Sequence, residues 1–99
     1  MKLKFLVEAQ IELDETINYY NQQYPGLGDS FLQEVLNSIE RILEFPNAWH
    51  LLSNNIRRCQ TRRFPYGLIY SLLDSEILVL SVSNLHRQPS HWKDRIKST

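Results

Sequence analysis

The feature that most constrains the fold is a pair of amphipathic helical patterns separated by only a few residues. In residues 9–24 apolar side chains recur every three or four positions, and the acidic residues lie in the first turns, where the helix dipole favours negative charge. Pro25-Gly26 ends this pattern. A second helix, which Asp29 or Ser30 can cap, then runs to Pro46. Two helices joined by so short a turn are expected to pack as an antiparallel hairpin, whose remaining apolar edge needs a sheet to cover it.

Strand patterns lie on both sides of this helical pair. Leu3, Phe5 and Val7 alternate with other residues, which is the period of a strand with one buried face. Residues 46–55 have no clear period and are predicted to form a loop. Three further strands are predicted over residues 56–64, 66–72 and 76–83. The middle one is apolar on both faces and therefore belongs in the centre of the sheet.

A short helix is predicted over residues 90–96, opened by Pro89. The elements then follow the order β-α-α-β-β-β-α. The predicted fold class is α+β, with a helical hairpin packed on a twisted, mainly antiparallel four-stranded sheet. With 99 residues and neither repeats nor linkers, the chain is expected to form a single domain over residues 1–99.

The cysteine count and the lengths of the apolar runs indicate the cellular compartment. The single cysteine, Cys59, cannot form an internal disulfide. The apolar run near the N-terminus is too short for a signal peptide, and no run approaches the roughly 18 apolar residues that span a membrane. A cytoplasmic protein with no membrane association is therefore expected.

A net charge of zero hides an asymmetry between the two halves of the chain. Residues 1–54 contain three basic and eight acidic residues, a balance of −5, whereas residues 55–99 contain eight basic and three acidic residues, a balance of +5. A surface of one sign attracts a partner of the other sign, so the C-terminal half is predicted to meet an anionic partner. The alternative is that the two halves pair with each other across the fold.

Three stretches carry a resemblance to a known family: Tyr-Pro-Gly-Leu-Gly-Asp-Ser-Phe at 24–31, Arg-Arg-Phe-Pro-Tyr-Gly-Leu-Ile-Tyr at 62–70, and Arg-Gln-Pro-Ser-His-Trp-Lys-Asp-Arg at 87–95. In this order and at this spacing they resemble the RelE/ParE superfamily, the toxins of type II toxin–antitoxin pairs, often labelled plasmid stabilisation proteins. The element order matches over nearly the whole length. The resemblance implies a growth-inhibiting bacterial toxin that a cognate antitoxin wraps and neutralises, with DNA reached only indirectly through the antitoxin.

The family contains two activities. RelE-like members cut messenger RNA in the ribosomal A site without a metal, and ParE-like members inhibit DNA gyrase by binding it. If the chain is RelE-like, the resemblance makes Arg63, Arg87 and His91 the catalytic candidates. Arg63 and Arg87 are expected at one rim of the sheet, and the pKa of a histidine suits acid–base work near neutrality.

Two departures favour the ParE-like activity. Many relatives carry a histidine at the end of the last strand, where this chain has Asn84, which cannot transfer a proton near pH 7. No lysine lies between Lys4 and Lys93, although ribosome-cutting members are typically rich in lysine there. Gyrase inhibition is therefore the favoured prediction, with the nuclease or a degenerate, non-toxic member that still binds antitoxin as alternatives.

The candidate partner-binding residues are Arg57, Arg58, Arg62 and Trp49. For Arg57 and Arg58, a solvated face or ion pairs to carboxylates of the first helix are as much expected as contact with nucleic acid. Trp49 lies in the predicted loop, where it either covers the core or contacts the antitoxin. No cofactor and no metal site is expected, because the sequence has neither a Cys/His cluster with ligand spacing nor a glycine-rich phosphate loop.

Overall fold

The helices and strands form close to where the apolar periods place them. The computed structural model describes residues 1–87 and 91–96. In chain order its elements are β1 (Lys2–Phe5), α1 (Val7–Gln23), α2 (Leu27–Glu44), β2 (His50–Ser53), β3 (Ile56–Gln60), β4 (Tyr66–Leu72), β5 (Glu76–Asn84) and α3 (Lys93–Ile96).

The strands form one sheet in the order β1-β5-β4-β3-β2. β1 is parallel to β5, with Leu3 opposite Ile77, and every other pair is antiparallel. The predicted α+β class, with a helical hairpin on a mainly antiparallel sheet, is confirmed.

The sheet has one strand more than the sequence predicted. β2 lies within the segment 46–55 that was expected to be a loop, and it pairs with β3 at the edge of the sheet. It has four residues, of which only Leu52 is partly buried, and its register shifts between Leu51 and Ser53. A short, exposed and irregular edge strand has no alternating burial, so its sequence lacks the period that identifies a strand.

The hairpin covers one face of the sheet. Residues of α1 and α2, among them Leu13, Phe31 and Ile42, pack there on Leu68 and Tyr70 of β4. The opposite face carries a second, smaller cluster: Ile56, Ile69, Leu80 and Trp92. β4 contributes residues to both clusters, so it is buried on both faces. This is the central position that apolar residues on both of its faces predict.

The turn between the helices differs from the predicted capping. α2 begins at Leu27, ahead of the predicted caps at Asp29 and Ser30, and its N-cap is Gly26, whose φ is 87°. The backbone amide of Gly28 donates to Oδ1 of Asn21 over 2.7 Å, so a side chain of α1 satisfies one of the free amides at the start of α2. The hairpin turn is therefore stabilised from the neighbouring helix rather than by a local cap.

The last helix is shorter than the predicted 90–96. α3 covers Lys93–Ile96, and the predicted start at Pro89 and Ser90 lies outside the described residues. Trp92, just before α3, is buried in the second cluster, where it fixes this segment to the sheet. Within the described ranges no helix is long and apolar enough to cross a bilayer.

Candidate functional site

The most unusual feature of the sheet is the place where β1 stops. β1 pairs with β5 only as far as Val79, although β5 continues to Asn84. Beyond Val79, none of the described residues forms a strand along this edge. Two side chains take its place, because the amide of Val82 donates to Glu12 of α1 over 3.0 Å and Arg95 of α3 donates to the carbonyl of Leu80 over 2.7 Å.

Glu12 is the centre of this arrangement. Its Oε1 accepts from Ser81 Oγ, from the Val82 amide and from Arg95 Nη1, each at 3.0 Å. Its Oε2 accepts from Arg95 Nη2 at 2.9 Å and from Arg87 Nη1 at 3.2 Å. One carboxylate therefore joins α1, β5, the residues that follow β5, and α3.

These contacts determine the protonation states of Glu12 and Arg95. Burial alone pushes the pKa of Glu12 upward, but hydrogen bonds from Arg95, Val82 and Ser81 outweigh it, and the pKa lies below the ordinary carboxyl value of 4.5. The hydrogen bond to Glu12 likewise raises the pKa of Arg95. Both groups are therefore ionised at neutral pH, which makes this a charge-assisted, bidentate contact.

His91 is joined to the same cluster through Ser81, whose Oγ lies 2.8 Å from His91 Nε2. A serine hydroxyl has one proton to donate, and an ionised carboxylate can only accept. Because Ser81 donates to Glu12, the proton between Ser81 and His91 must come from the histidine. His91 Nε2 therefore carries a hydrogen.

A cleft of about 260 Å³ opens beside Glu12. Its α1 side presents Glu15 and Tyr19 in addition to Glu12, and its sheet side includes Asn84 and Arg87. Arg87 is the one cation among the described residues that line the cleft. The cleft thus lies beside a strand edge whose polar groups are bound by side chains, and its lining is mostly uncharged, with two carboxylates and one guanidinium.

Two of the three catalytic candidates, Arg63 and Arg87, lie on loops at one end of the sheet, whereas His91 contacts Ser81 within β5. The loops that precede β4 and follow β5 meet there, since the Leu85 amide donates to the Pro65 carbonyl over 2.9 Å. Arg87 is paired with Glu12, and His91 contacts Ser81. Arg63 lies on the other loop at a φ of 71°, with its guanidinium 5.9 Å from the centre of the Phe64 ring.

The partner-binding candidates differ in their availability. Arg57 donates to the carbonyl of Trp49 over 2.9 Å, and Trp49 Nε1 donates to the carbonyl of Arg41 over 3.3 Å. These two side chains thus help to hold the 45–49 segment in place. The stem of Arg58 crosses Gly67, where a Cβ would lie 2.9 Å from its Cγ, while Arg62 is exposed.

The charge asymmetry is neutralised in part within the chain. Two of the C-terminal arginines, Arg87 and Arg95, pair with Glu12 of the acidic half. In the part of the chain that the structure describes, neither Arg57 nor Arg58 forms an ion pair with a carboxylate of α1. Among the described residues, the ion pairs that neutralise C-terminal arginines therefore go to Glu12 and not through Arg57 or Arg58.

Sequence reasoning missed Glu12, Ser81 and Arg95. Glu12 falls among other acids at the start of an amphipathic helix, where a solvent-exposed carboxylate is the ordinary expectation. The remaining ionisable groups do not suggest another kind of site. Burial raises the pKa of the Cys59 thiol, and the described residues contain no group of His, Cys, Asp or Glu that could hold a metal ion.

Comparison with known proteins bears on the fold. No family model matches the chain, and no curated protein matches it. The chain is similar to one in a solved structure described as "Chromosomal ParDE TA system from P. aeruginosa", with a TM-score of 0.74, 18% identity, and coverage of 85% of this chain and 95% of that chain. At this identity the similarity establishes a shared fold, and the architecture that the RelE/ParE resemblance implied is confirmed.

Proposed function

We propose that this chain is the toxin of a type II toxin–antitoxin pair, and that it acts in the ParE manner by binding DNA gyrase. The observation that carries the proposal is the fold that it shares, over 85% of its length, with a chain of a ParDE toxin–antitoxin system. The three sequence stretches at 24–31, 62–70 and 87–95 add independent support. A cognate antitoxin in the bacterial cytoplasm neutralises the toxin.

The settings of the catalytic candidates favour binding over RNA cleavage. Metal-free cleavage needs a base, an acid and cations that reach the scissile phosphate. Arg87 has its charge offset by Glu12, and His91 Nε2 donates to Ser81, a residue with no exposed surface. Asn84 occupies the strand-end position where many relatives carry histidine, and it supplies no proton near neutral pH.

The cleft beside Glu12 offers the antitoxin a place to bind. An antitoxin segment can insert side chains into it, whereas the Val82 amide and the Leu80 carbonyl at the adjoining edge of β5 are already bound by Glu12 and Arg95. Arg62 and Arg63, both exposed at the same end of the sheet, supply positive charge for an acidic antitoxin. Arg58, Arg57 and Trp49 remain candidates for a separate part of the antitoxin contact, since β3 and β2 lie on the other side of β4 from β5, and DNA is reached only through the antitoxin.

The proposal is tested first by growth. Expression of the chain alone in bacteria should arrest growth, and co-expression of the antitoxin should restore it. Unimpaired growth with the folded protein present in the lysate would overturn the toxin assignment. If the protein still bound antitoxin under those conditions, it would be a degenerate member of the family.

A second experiment separates the two targets. The purified protein should inhibit DNA supercoiling by gyrase, and primer extension on cellular mRNA should reveal no new cuts after induction. The alternative nuclease activity predicts cuts that disappear in Arg63→Ala, Arg87→Ala or His91→Ala. Such cuts, without an effect on gyrase, would transfer the assignment to the ribosome-dependent nuclease.

A further inference from the structure

Two arginines bind the carboxylate of Glu12, and they differ in the number of contacts and in exposure to solvent. Arg95 contacts both oxygens, at 3.0 and 2.9 Å, and also donates to the Leu80 carbonyl; its side chain is 15% exposed. Arg87 makes one contact, at 3.2 Å, and its side chain is 49% exposed. Arg95 is therefore a fixed partner of Glu12, whereas Arg87 is held by a single contact at the surface.

The two contacts should differ in how readily they exchange. A single-point ion pair whose arginine is half exposed contributes little, since water and salt compete for that charge. A bidentate pair that is largely shielded from solvent is held by geometry, and its separation would leave a poorly solvated charge. An incoming anion can thus detach Arg87 from Glu12 without disturbing Arg95.

The lining of the cleft selects the kind of anion. Arg87 is the one cation among its described lining residues, and Glu12 and Glu15 face the same space. A nucleic-acid strand, with a charge on every phosphate, would bring several charges against Glu15, which has no ion pair to a described residue. An acidic peptide can place one carboxylate at Arg87 and uncharged residues opposite Glu12 and Glu15.

We propose that Glu12 is an internal surrogate for a partner's carboxylate. In the free chain it holds Arg87 through one contact while Arg95 matches its charge; when an extended acidic peptide enters the cleft, a glutamate or aspartate of that peptide binds Arg87 instead, and the pair between Glu12 and Arg95 stays intact. The inference rests on the proposed function, because it identifies the chemistry by which an acidic antitoxin segment is recognised. Glu12 then competes within the chain against that segment and lowers its affinity.

The first test uses the wild-type protein. A 12-residue fluorescein-labelled peptide of threonine and serine with one central glutamate is titrated at low salt, with a glutamine-for-glutamate version as its control. NMR signals of the arginine side chains should show Arg87 shifting with the acidic peptide and Arg95 unchanged. An absence of binding by the acidic peptide, or equal shifts for both arginines, would overturn the inference.

The second test removes the competitor. Glu12→Gln should tighten binding of the acidic peptide about two- to fivefold, a range that corresponds to loss of a single-contact ion pair at the surface, and Glu12→Gln with Arg87→Ala should lose that gain. Glu15→Gln is the matched control, since Glu15 lines the same cleft without an ion pair to any described residue. A gain in Glu15→Gln as large as in Glu12→Gln would contradict a specific role for Glu12.

Folding of the variant is controlled separately. Glu12→Gln leaves Arg95 without its counter-charge, so Glu12→Gln with Arg95→Met, which removes both charges of the shielded pair, provides a second background in which the same gain is expected. A labelled 12-nucleotide RNA serves as the competing ligand. If the RNA bound more tightly than the peptide and did so through Arg87, the partner class would be wrong. These outcomes are independent of growth arrest, so failure of the toxin assignment is distinguishable from failure of this inference.

Discussion

The backbone amide of Val82 donates to the carboxylate of Glu12 over 3.0 Å, so a side chain of α1 occupies a position at the edge of β5 that β1 does not reach. The interaction joins residues 70 positions apart. Glu12 thereby links the helical hairpin to the sheet edge and to the segment around α3. Its removal should consequently affect stability as well as binding.

Glu12→Ala should lower the free energy of unfolding by about 2–4 kcal/mol, because it leaves Arg95 without its counter-charge and the Val82 amide without its acceptor. Urea denaturation followed by circular dichroism would measure the change. Glu15→Ala on the same helix should alter stability by less than about 0.5 kcal/mol. Equal effects of the two substitutions would contradict the structural role of Glu12.

The contribution of Glu12 should depend on pH in one direction. Its pKa is lower in the folded chain than the ordinary value of 4.5, so folding favours the ionised form, and the contribution is fully present above pH 4.5. It is lost as the pH falls through the folded pKa, because protonation then removes the charge that pairs with Arg95. The stability difference between wild type and Glu12→Gln, measured in urea from pH 7 to pH 2, should stay constant to about pH 4.5 and shrink below it. A difference that grew on acidification would contradict the assignment.

The hydrogen-bond chain predicts the protonation of His91. Since Ser81 donates to Glu12, His91 Nε2 must donate to Ser81, in the neutral ring as in the cation. Long-range ¹H–¹⁵N correlation spectra at pH 8 should therefore show the Nε2–H tautomer. Observation of the Nδ1–H tautomer with a bare Nε2 would break the chain and return that nitrogen to the candidates for a general base.

The close contact between α1 and α2 can be tested at the two glycines of the turn that joins them, Gly26 and Gly28. Gly28→Ala should destabilise the protein by about 3 kcal/mol or more, because the new Cβ would lie 2.2 Å from the carbonyl oxygen of Ile17. Gly26→Ala meets no atom within 4 Å but must adopt a φ of 87°, at a cost of about 1–2 kcal/mol. Thermal unfolding of the two variants would rank them. A smaller loss for Gly28→Ala than for Gly26→Ala would contradict the close helix contact.

Features set by neighbouring residues could be predicted from the sequence, whereas features set by contacts between distant residues could not. The hairpin and the central position of β4 were predictable, because apolar periods of 3.6 or 2 indicate which faces of a helix or strand are buried. β2 was missed because its residues are mostly exposed. The early start of α2 was missed because a free amide of its first turn, that of Gly28, is bound by Asn21, a residue of the other helix.

The sequence by itself determined the order and type of the main elements, since local periodicity and turn residues are properties of neighbouring positions. Only the tertiary structure decided the site. Glu12 meets Ser81, Val82, Arg87 and Arg95 across separations of 69 to 83 positions, and they meet because β1 ends four residues into a nine-residue partner strand. The uncovered amide and carbonyl groups at that edge require polar partners, and which side chains supply them depends on how the helices pack on the sheet.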